Sequence, residues 1–193
     1  VAAAVGPETV AVCGVHTYGT PCDVAGLEAL CRKRGLKLFF DSAHGLGSTV
    51  KGVPVGRFGD AEGFSTSATK VITTLGEGGF ITTDDEAFAE RIRLARNWGH
   101  GGDYNPAFPS IVAKLPEIAA AAGLILLDDL DDWIALRQAR VREAGDLLSA
   151  VPGIRLPQVR PDDTSGHKDF TIIVEAAAFG LNRDQLAHCL AAE

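Results

Sequence analysis

One lysine, Lys70, stands between a run of hydroxyl side chains and a glycine-rich turn. The run 65–69 holds Ser and Thr at four of its five positions, and Gly76, Gly78 and Gly79 follow the lysine. An amine in a flexible loop, beside hydroxyls that can hold an anion, has the parts needed for a Schiff base to a phosphorylated cofactor. Most lysines near Ser and Thr are solvated surface residues. The segment therefore predicts chemistry only if the fold brings Lys70 a partner.

Three further polar side chains are expected at the same edge of the fold. Asp41 follows an apolar strand-like run, His44 comes three residues later, and Ser65 closes a second apolar run. Because the carboxyl ends of parallel strands meet at one crevice, Asp41 and Lys70 are predicted to converge there. A buried Asp41 can pair with a protonated pyridine nitrogen, His44 can bond the phenolic oxygen of the same ring, and Ser65 can donate to a phosphate.

Each of these residues also has an ordinary structural interpretation. Asp41 is a good turn former, His44 can be a satisfied core histidine, and Ser65 can be a plain strand-end serine. Taken singly, the structural interpretation is favoured. The order Asp, His, Ser, Lys on successive strand ends favours the cofactor site.

The elements that must position these side chains begin with a strand–helix–strand pattern. Apolar runs at 11–15 and 36–40 are typical of buried strands, and the helix between them begins after Asp23, a capping residue, and ends at Gly35. Short connections of this kind indicate a right-handed βαβ unit. Two more strands are predicted at 61–65 and 79–82. The predicted fold class is α/β, a mostly parallel sheet flanked by helices.

The second half of the chain is predicted to be mainly helical. Thr83 and Glu86 have the spacing of a capping box that starts one helix, and residues 51–57 before it are expected to be loop. A long helix is predicted from Glu117 to about residue 148. Its first part, 118–127, is apolar on nearly all sides and is expected to be buried.

We place a domain boundary near residues 128–132. This predicts a partial large domain at residues 1–127 and the beginning of a smaller α+β domain at residues 128–193. The second part contains a strand-like run at 170–174 and a final helix that Asn182 can cap.

Composition excludes several other classes of protein. The chain has 193 residues and a formal net charge of −7 with no long basic run, so neither nucleic acid nor an anionic membrane is expected as a partner. Its apolar runs are too short for a membrane span. The four cysteines are scattered without metal-like spacing, so no metal site is predicted. A reduced compartment, the cytoplasm, is expected.

Several segments resemble one enzyme family, the sugar aminotransferases of the DegT/DnrJ/EryC1/StrS group. The segments are DSAHGLGS, GDAEGFSTSATKVITTLGEGGFITTDDE, RIRLARNWG and AKLPEIAAAAGL, with HTYGTPCDV near the start and HKDFTIIV near the end. The resemblance implies the aspartate-aminotransferase fold (type I), pyridoxal phosphate as cofactor, and a homodimer with shared active sites. It also implies transfer of an amino group from glutamate or glutamine to a nucleotide-linked keto-sugar.

The resemblance gives each candidate residue a role. Lys70 matches the lysine that bonds the cofactor and moves the substrate proton, and Asp41 matches the aspartate on the pyridine nitrogen. His44 matches the residue beside the phenolic oxygen, and Ser65 matches the serine on the phosphate. A related branch that dehydrates sugars has histidine in place of this lysine, so Lys70 argues against that chemistry.

Two departures from the family pattern affect these expectations. Family members usually carry an asparagine that reaches the neighbouring subunit's phosphate, where this chain has Val112. Unless Asn105 or another donor substitutes, cofactor affinity is expected to be weakened. By this resemblance, the sequence is also expected to open after the family's N-terminal phosphate-binding turn and to stop before its last small-domain strands, so the chain as given is expected to bind cofactor poorly.

Two alternative functions remain open at this point. The same chemistry can act on a cyclitol ketone, since some family members use such substrates. A truncated, non-catalytic homologue that serves as a binding or regulatory subunit is the other alternative, and Val112 and the shortened ends favour it.

Overall fold

The chain folds around a four-stranded sheet, and the computed structural model describes all 193 residues. The strands are β1 (Ala11–Val15), β2 (Lys37–Asp41), β3 (Thr49–Val50), β4 (Val53–Pro54), β5 (Ala61–Ser65), β6 (Gly79–Thr82), β7 (Ile154–Arg155) and β8 (Ile173–Val174). The helices are α1 (Val24–Arg34), α2 (Glu86–Ala95), α3 (Glu117–Leu127), α4 (Leu130–Leu148), α5 (Ala176–Phe179) and α6 (Arg183–Leu190). None of the helices has the length and apolarity that a membrane crossing requires.

The central sheet is mostly parallel, as predicted. Its order is β1-β2-β5-β6, in which the first three strands run in parallel and β6 is antiparallel to β5. The register pairs Val15 with Asp41 and Asp41 with Gly63. The ends of the three parallel strands therefore lie side by side at one edge. β3 and β4 form a separate hairpin within a stretch that was predicted as loop from residue 51, and β7 pairs with β8.

The predicted βαβ unit is confirmed down to its helix caps. The Asp23 carboxylate accepts a hydrogen bond from the Gly26 backbone N–H, which is otherwise unpaired in the first turn. Gly35 ends α1 in the left-handed region at φ 65°, which an L side chain adopts only at a cost. Helix α1 then covers the sheet, and Cys31 packs with Leu38 in the main apolar core.

The long helix predicted from Glu117 is in fact two helices. Helices α3 and α4 are separated at Asp128 and Asp129, within the region where the domain boundary was placed. The boundary itself stays a prediction.

The expectation that residues 118–127 are buried is wrong for this chain. Only Ala119 and Gly123 of α3 are buried, whereas Ile118 is 76% exposed and Ile125 69% exposed. The reason is local: α3 meets the rest of the chain on one narrow face of small residues. A side chain at Gly123 would lie 2.8 Å from the Thr74 methyl group, so the helix approaches the loop closely at this position.

The start of α2 also differs from the prediction. Asp85, rather than Thr83, caps this helix by accepting from the Phe88 N–H. The Thr83 hydroxyl donates instead to the Asp60 carbonyl, a contact across the sheet that the local pattern does not contain. At the other end of the chain, Asn182 caps α6 as predicted.

Candidate functional site

Asp41 lies at the carboxyl end of β2, where the spacing predicts it, but it is exposed rather than buried. One carboxylate oxygen, Oδ1, accepts a hydrogen bond of 3.0 Å from the Ala43 N–H. No other hydrogen bond or ion pair within the chain involves this carboxylate. The carboxylate can therefore accept a hydrogen bond from an N–H group of a ligand that enters from the open side.

The His44 ring has one defined hydrogen bond and one stacking partner. The Tyr18 backbone N–H donates to its Nδ1 at 3.3 Å, and the two rings stack with centroids 5.9 Å apart and planes 17° apart. Because Nδ1 accepts, the neutral imidazole carries its proton on Nε2. Burial lowers the pKa of His44, and the positive charges of Lys70 and Lys168 lower it further. His44 is thus held neutral, with one N–H available to donate.

Lys70 sits in a loop that hydrogen bonds hold at both ends. Thr66 and Thr74 share a 2.9 Å hydrogen bond between their hydroxyls, and the Thr66 N–H donates to the Gly78 carbonyl. A side chain at Gly78 would lie 2.3 Å from the Thr74 hydroxyl, so only glycine permits this closure. The Lys70 side chain is half-buried, and its ammonium forms no salt bridge within the chain.

Ser65 lies at the end of β5, within the same polar turn. Its hydroxyl donates to the Ser67 hydroxyl at 3.2 Å, and the Lys70 N–H donates to the Ser67 carbonyl at 3.0 Å. The structure thus connects Ser65 to the lysine loop through Ser67. Lys70 and Asp41 both lie close enough to His44 to change its pKa in opposite directions. The hydrogen bonds of the Ser65 hydroxyl remain within its own turn.

A second polar cluster lies directly behind Asp41 and was not predicted from the sequence. The side chains of His16, Ser42 and Glu62 are fully buried, each with at most 1% of its surface exposed. The Ser42 hydroxyl donates to Glu62 Oε2 at 2.5 Å, and the backbone N–H groups of Gly56 and Phe58 donate to Oε1 at 2.8 and 2.9 Å. The Glu62 carboxylate therefore joins β5 to the end of β2 and to the loop before β5.

His16 completes this cluster without a full set of hydrogen bonds. Its Nδ1 accepts from the Cys22 N–H at 3.1 Å, and its Nε2 lies 3.8 Å from Glu62 Oε2 with no hydrogen-bond partner. Burial lowers the pKa of His16 to about 4, against the opposing effect of the Asp41 charge. Protonation of Nδ1 would also break the bond to Cys22, so the neutral ring is the form that fits.

Comparison with known proteins gives a consistent assignment over the whole chain. The sequence model described as the DegT/DnrJ/EryC1/StrS aminotransferase family matches residues 1–193. The erythromycin biosynthesis sensory transduction protein EryC1 of Saccharopolyspora erythraea is 38% identical over 183 residues, which are 95% of this chain and 48% of that protein. The dTDP-3-amino-3,4,6-trideoxy-alpha-D-glucose transaminase of Streptomyces venezuelae is 34% identical over 172 residues, 89% of this chain and 45% of that enzyme.

A solved structure leads to the same assignment. The crystal structure of DesI in the presence of its TDP-sugar product superposes with a TM-score of 0.91 at 36% identity, and covers 100% of this chain and 49% of that one. The chain thus spans about half the length of the curated relatives and of the solved structure that it matches.

Proposed function

Because the chain belongs to the DegT/DnrJ/EryC1/StrS aminotransferase family, we propose that it carries the reactive lysine of a pyridoxal-phosphate-dependent aminotransferase. The reaction we propose moves an amino group from glutamate or glutamine to a nucleotide-linked keto-sugar. The similar transaminase of Streptomyces venezuelae is named for a dTDP-aminosugar, and DesI was solved with a TDP-sugar product. Those names support a nucleotide sugar as the acceptor here.

The observation that carries this proposal is the hydrogen bond that orients His44: its Nδ1 accepts from the Tyr18 N–H, which leaves Nε2 as the nitrogen that can donate. A neutral His44 that donates through Nε2 suits a phenolate oxygen, and a lysine without an ion pair suits a covalent bond to a carbonyl carbon. The unpaired oxygen of Asp41 suits a ring N–H. The Ser65 hydroxyl and the N–H groups of its turn suit a phosphate. The donors and acceptors present thus fit pyridoxal phosphate.

In the proposed reaction each side chain has a distinct task. Bound pyridoxal phosphate would supply an electron-withdrawing ring that stabilises negative charge on a substrate carbon. Lys70 would hold the cofactor through its amine and would move the substrate proton. Asp41 would keep the ring nitrogen protonated, His44 would donate to the phenolic oxygen, and Ser65 would donate to the phosphate.

The remaining expectations stay part of this proposal. We propose a homodimer in the cytoplasm, with residues 1–127 as part of the large domain and residues 128–193 as the start of the small domain. The break between α3 and α4 supports a boundary there, because neither Asp128 nor Asp129 belongs to a helix. Val112 is more than half exposed, and its backbone pairs with that of Asn97. Because its side chain is a hydrocarbon, it offers no hydrogen-bond donor to a phosphate.

The proposal is tested by an absorption spectrum of the complete gene product with added pyridoxal phosphate. We expect a band at the edge of the visible range that glutamate bleaches, because transfer of its amino group would convert the conjugated C=N group of the cofactor into an amine and release the keto acid. Lys70→Ala should lose both the band and the bleaching. Lys33→Ala is the matched control, since Lys33 is exposed on α1.

A folded wild-type protein that gives no band contradicts the proposal and supports the non-catalytic homologue. A band that survives in Lys70→Ala contradicts the assignment of the lysine. If the band bleaches as expected, assays with keto-sugar nucleotides and with cyclitol ketones distinguish the two acceptor classes.

A further inference from the structure

The segment 164–169 docks onto the turn that follows β1, close to His44. Thr164 and Thr49 exchange two backbone hydrogen bonds of 2.9 and 3.0 Å. The Gly166 N–H donates both to the Gly19 carbonyl, at 3.2 Å, and to the Ser48 hydroxyl, at 3.0 Å. These contacts join positions more than a hundred residues apart in sequence, as the separation of 118 between Gly166 and Ser48 shows.

Gly19 is the point at which three segments converge. Its φ of 91° lies in the left-handed region, and a side chain there would be 2.8 Å from the His167 nitrogen, 3.0 Å from the Lys168 nitrogen and 3.2 Å from the His44 carbonyl. Because glycine has no side chain, the backbone of residues 167 and 168 and the carbonyl of His44 can all lie close to Gly19.

The backbone of this segment is also fixed from the opposite side. Arg137 of α4 donates through Nη1 to the carbonyl oxygens of His167 and Lys168, at 3.1 and 3.2 Å. A guanidinium that bridges two successive carbonyls restrains both residues together. The position of Lys168 is therefore set by the scaffold.

The Lys168 side chain is largely enclosed, although it carries a charge. Only 13% of its surface is exposed, whereas that of its ion-pair partner Asp169 is 41% exposed. Its Nζ contacts the two carboxylate oxygens of Asp169 at 3.0 and 3.1 Å, and no other hydrogen bond of this ammonium occurs in the chain. Lys168 affects the pKa of His44 more strongly than Asp169 does. By exposure, the ammonium is the enclosed partner of this ion pair, and the carboxylate is the partner that faces solvent.

We propose that Lys168 is a further binding residue of this site and that it binds an anionic oxygen group of a substrate. That group is a carboxylate of the amino donor or a phosphate of the nucleotide, and this inference rests on the proposed function. Lys70 is committed to the cofactor, and Lys168 is the second of the two cations that act on His44. An enclosed ammonium with a free N–H, held by the backbone contacts of Gly19 and Arg137, is placed to receive such a group.

The test compares Lys168→Met, which removes the charge and keeps the length, with Lys168→Arg, which keeps the charge. Lys33→Met is the matched surface control. In the complete gene product loaded with pyridoxal phosphate, we measure the glutamate concentration that half-bleaches the absorption band and the dissociation constant of thymidine diphosphate. Loss of one charge-assisted hydrogen bond should weaken one of the two ligands about 10- to 100-fold. Lys168→Arg should recover most of that loss.

A cofactor-free readout accompanies these measurements. In the protein without pyridoxal phosphate, an NMR titration of the histidine rings should show a higher pKa for His44 in Lys168→Met than in wild type, because a nearby positive charge is gone. A purely structural role for Lys168 predicts a lower unfolding midpoint in urea without a selective loss of either ligand.

The outcomes separate the two possible ligands and the two proposals. If only glutamate binding is weakened, the ligand of Lys168 is the carboxylate of the amino donor. If only thymidine diphosphate binding is weakened, the ligand is the nucleotide phosphate. If Lys168→Met binds both as Lys33→Met does, the inference is overturned while the proposed function stands. If wild type gives no absorption band, the proposed function fails, and the NMR titration alone decides whether Lys168 faces His44.

Discussion

Two neighbouring residues, Asp41 and Ser42, face opposite sides of the sheet edge and have opposite surroundings. Asp41 is exposed, and its carboxylate has one hydrogen bond, from Ala43. Ser42 is fully buried and donates to Glu62, whose carboxylate also accepts two backbone N–H groups. The carboxylate on the open side has unused hydrogen-bonding capacity, whereas the buried polar side-chain atoms are paired except for His16 Nε2 and the Thr82 hydroxyl.

This difference indicates that the two sides of the strand end have different roles, one in stability and one in binding. A buried charge is tolerated only when its lone pairs are satisfied. The Glu62 cluster meets this condition and acts as a structural support beneath the strand ends. A residue that must bind a ligand keeps its lone pairs free, and Asp41 can do so because it faces solvent. Substitutions on the buried side should therefore change stability, and substitutions on the open side should change binding.

Glu62→Ala should give the largest loss of stability. The substitution leaves the buried Ser42 hydroxyl and the partly buried N–H groups of Gly56 and Phe58 without an acceptor, and each unsatisfied buried donor costs about 1 to 3 kcal/mol. We expect the free energy of unfolding to fall by about 4 kcal/mol, measured by urea titration of the complete gene product. Glu8→Ala, at an exposed position, is the control. A loss below about 1 kcal/mol would mean that the cluster does not hold the strand ends together.

The fold was predictable wherever the signal was local. Asp23, Gly35 and Asn182 cap their helices as the sequence indicates, because a cap depends on residues three or four positions away. Thr83 was wrongly predicted as a cap because its hydroxyl bonds Asp60, 23 residues away. Likewise, the apolar character of residues 118–127 predicts burial but cannot show what covers each face.

The candidate site was predictable to a similar extent. The sequence predicts Asp41, His44, Ser65 and Lys70 at or after strand ends; the structure has Asp41 and Ser65 at the ends of β2 and β5 and has His44 and Lys70 in the turns that follow, and their roles stay predictions. The cluster of Glu62 was missed, because a lone Glu in a short strand carries no signal of its partners. Lys168 was missed as a site residue for the same reason, since only the folded chain brings it near His44.

Acid should weaken the buried side by a smaller amount, through His16. Its pKa in the folded protein is about 4, below the ordinary value of 6.5, so the unfolded chain binds the proton more readily. Stability is therefore full above the unfolded value and is lost as the pH falls from 6.5 towards 4. Between neutral pH and about pH 5, this one group should remove about 2 kcal/mol.

His16→Asn isolates that contribution. The Asn side-chain oxygen can accept from the Cys22 N–H as Nδ1 does, and it does not titrate. Urea titrations at several pH values should show a shallower acid slope for His16→Asn than for wild type. Equal slopes would mean that His16 is not the residue that titrates on folding.

Asp41→Asn should have the smallest effect on stability and a clear effect on binding. Asn keeps an oxygen that can accept from the Ala43 N–H, so the free energy of unfolding should change by less than about 0.5 kcal/mol. The negative charge is lost, however, and an opposite charge at close range shifts the pKa of its partner by about 1 to 3 units. We therefore expect the rate at which glutamate bleaches the cofactor band to fall by about 10- to 1000-fold.

Asp84→Asn, on the exposed turn before α2, is the control. If Asp41→Asn lowered stability as much as Glu62→Ala while the bleaching rate held, Asp41 would belong to the buried scaffold, and the division between the two sides of the strand end would be wrong.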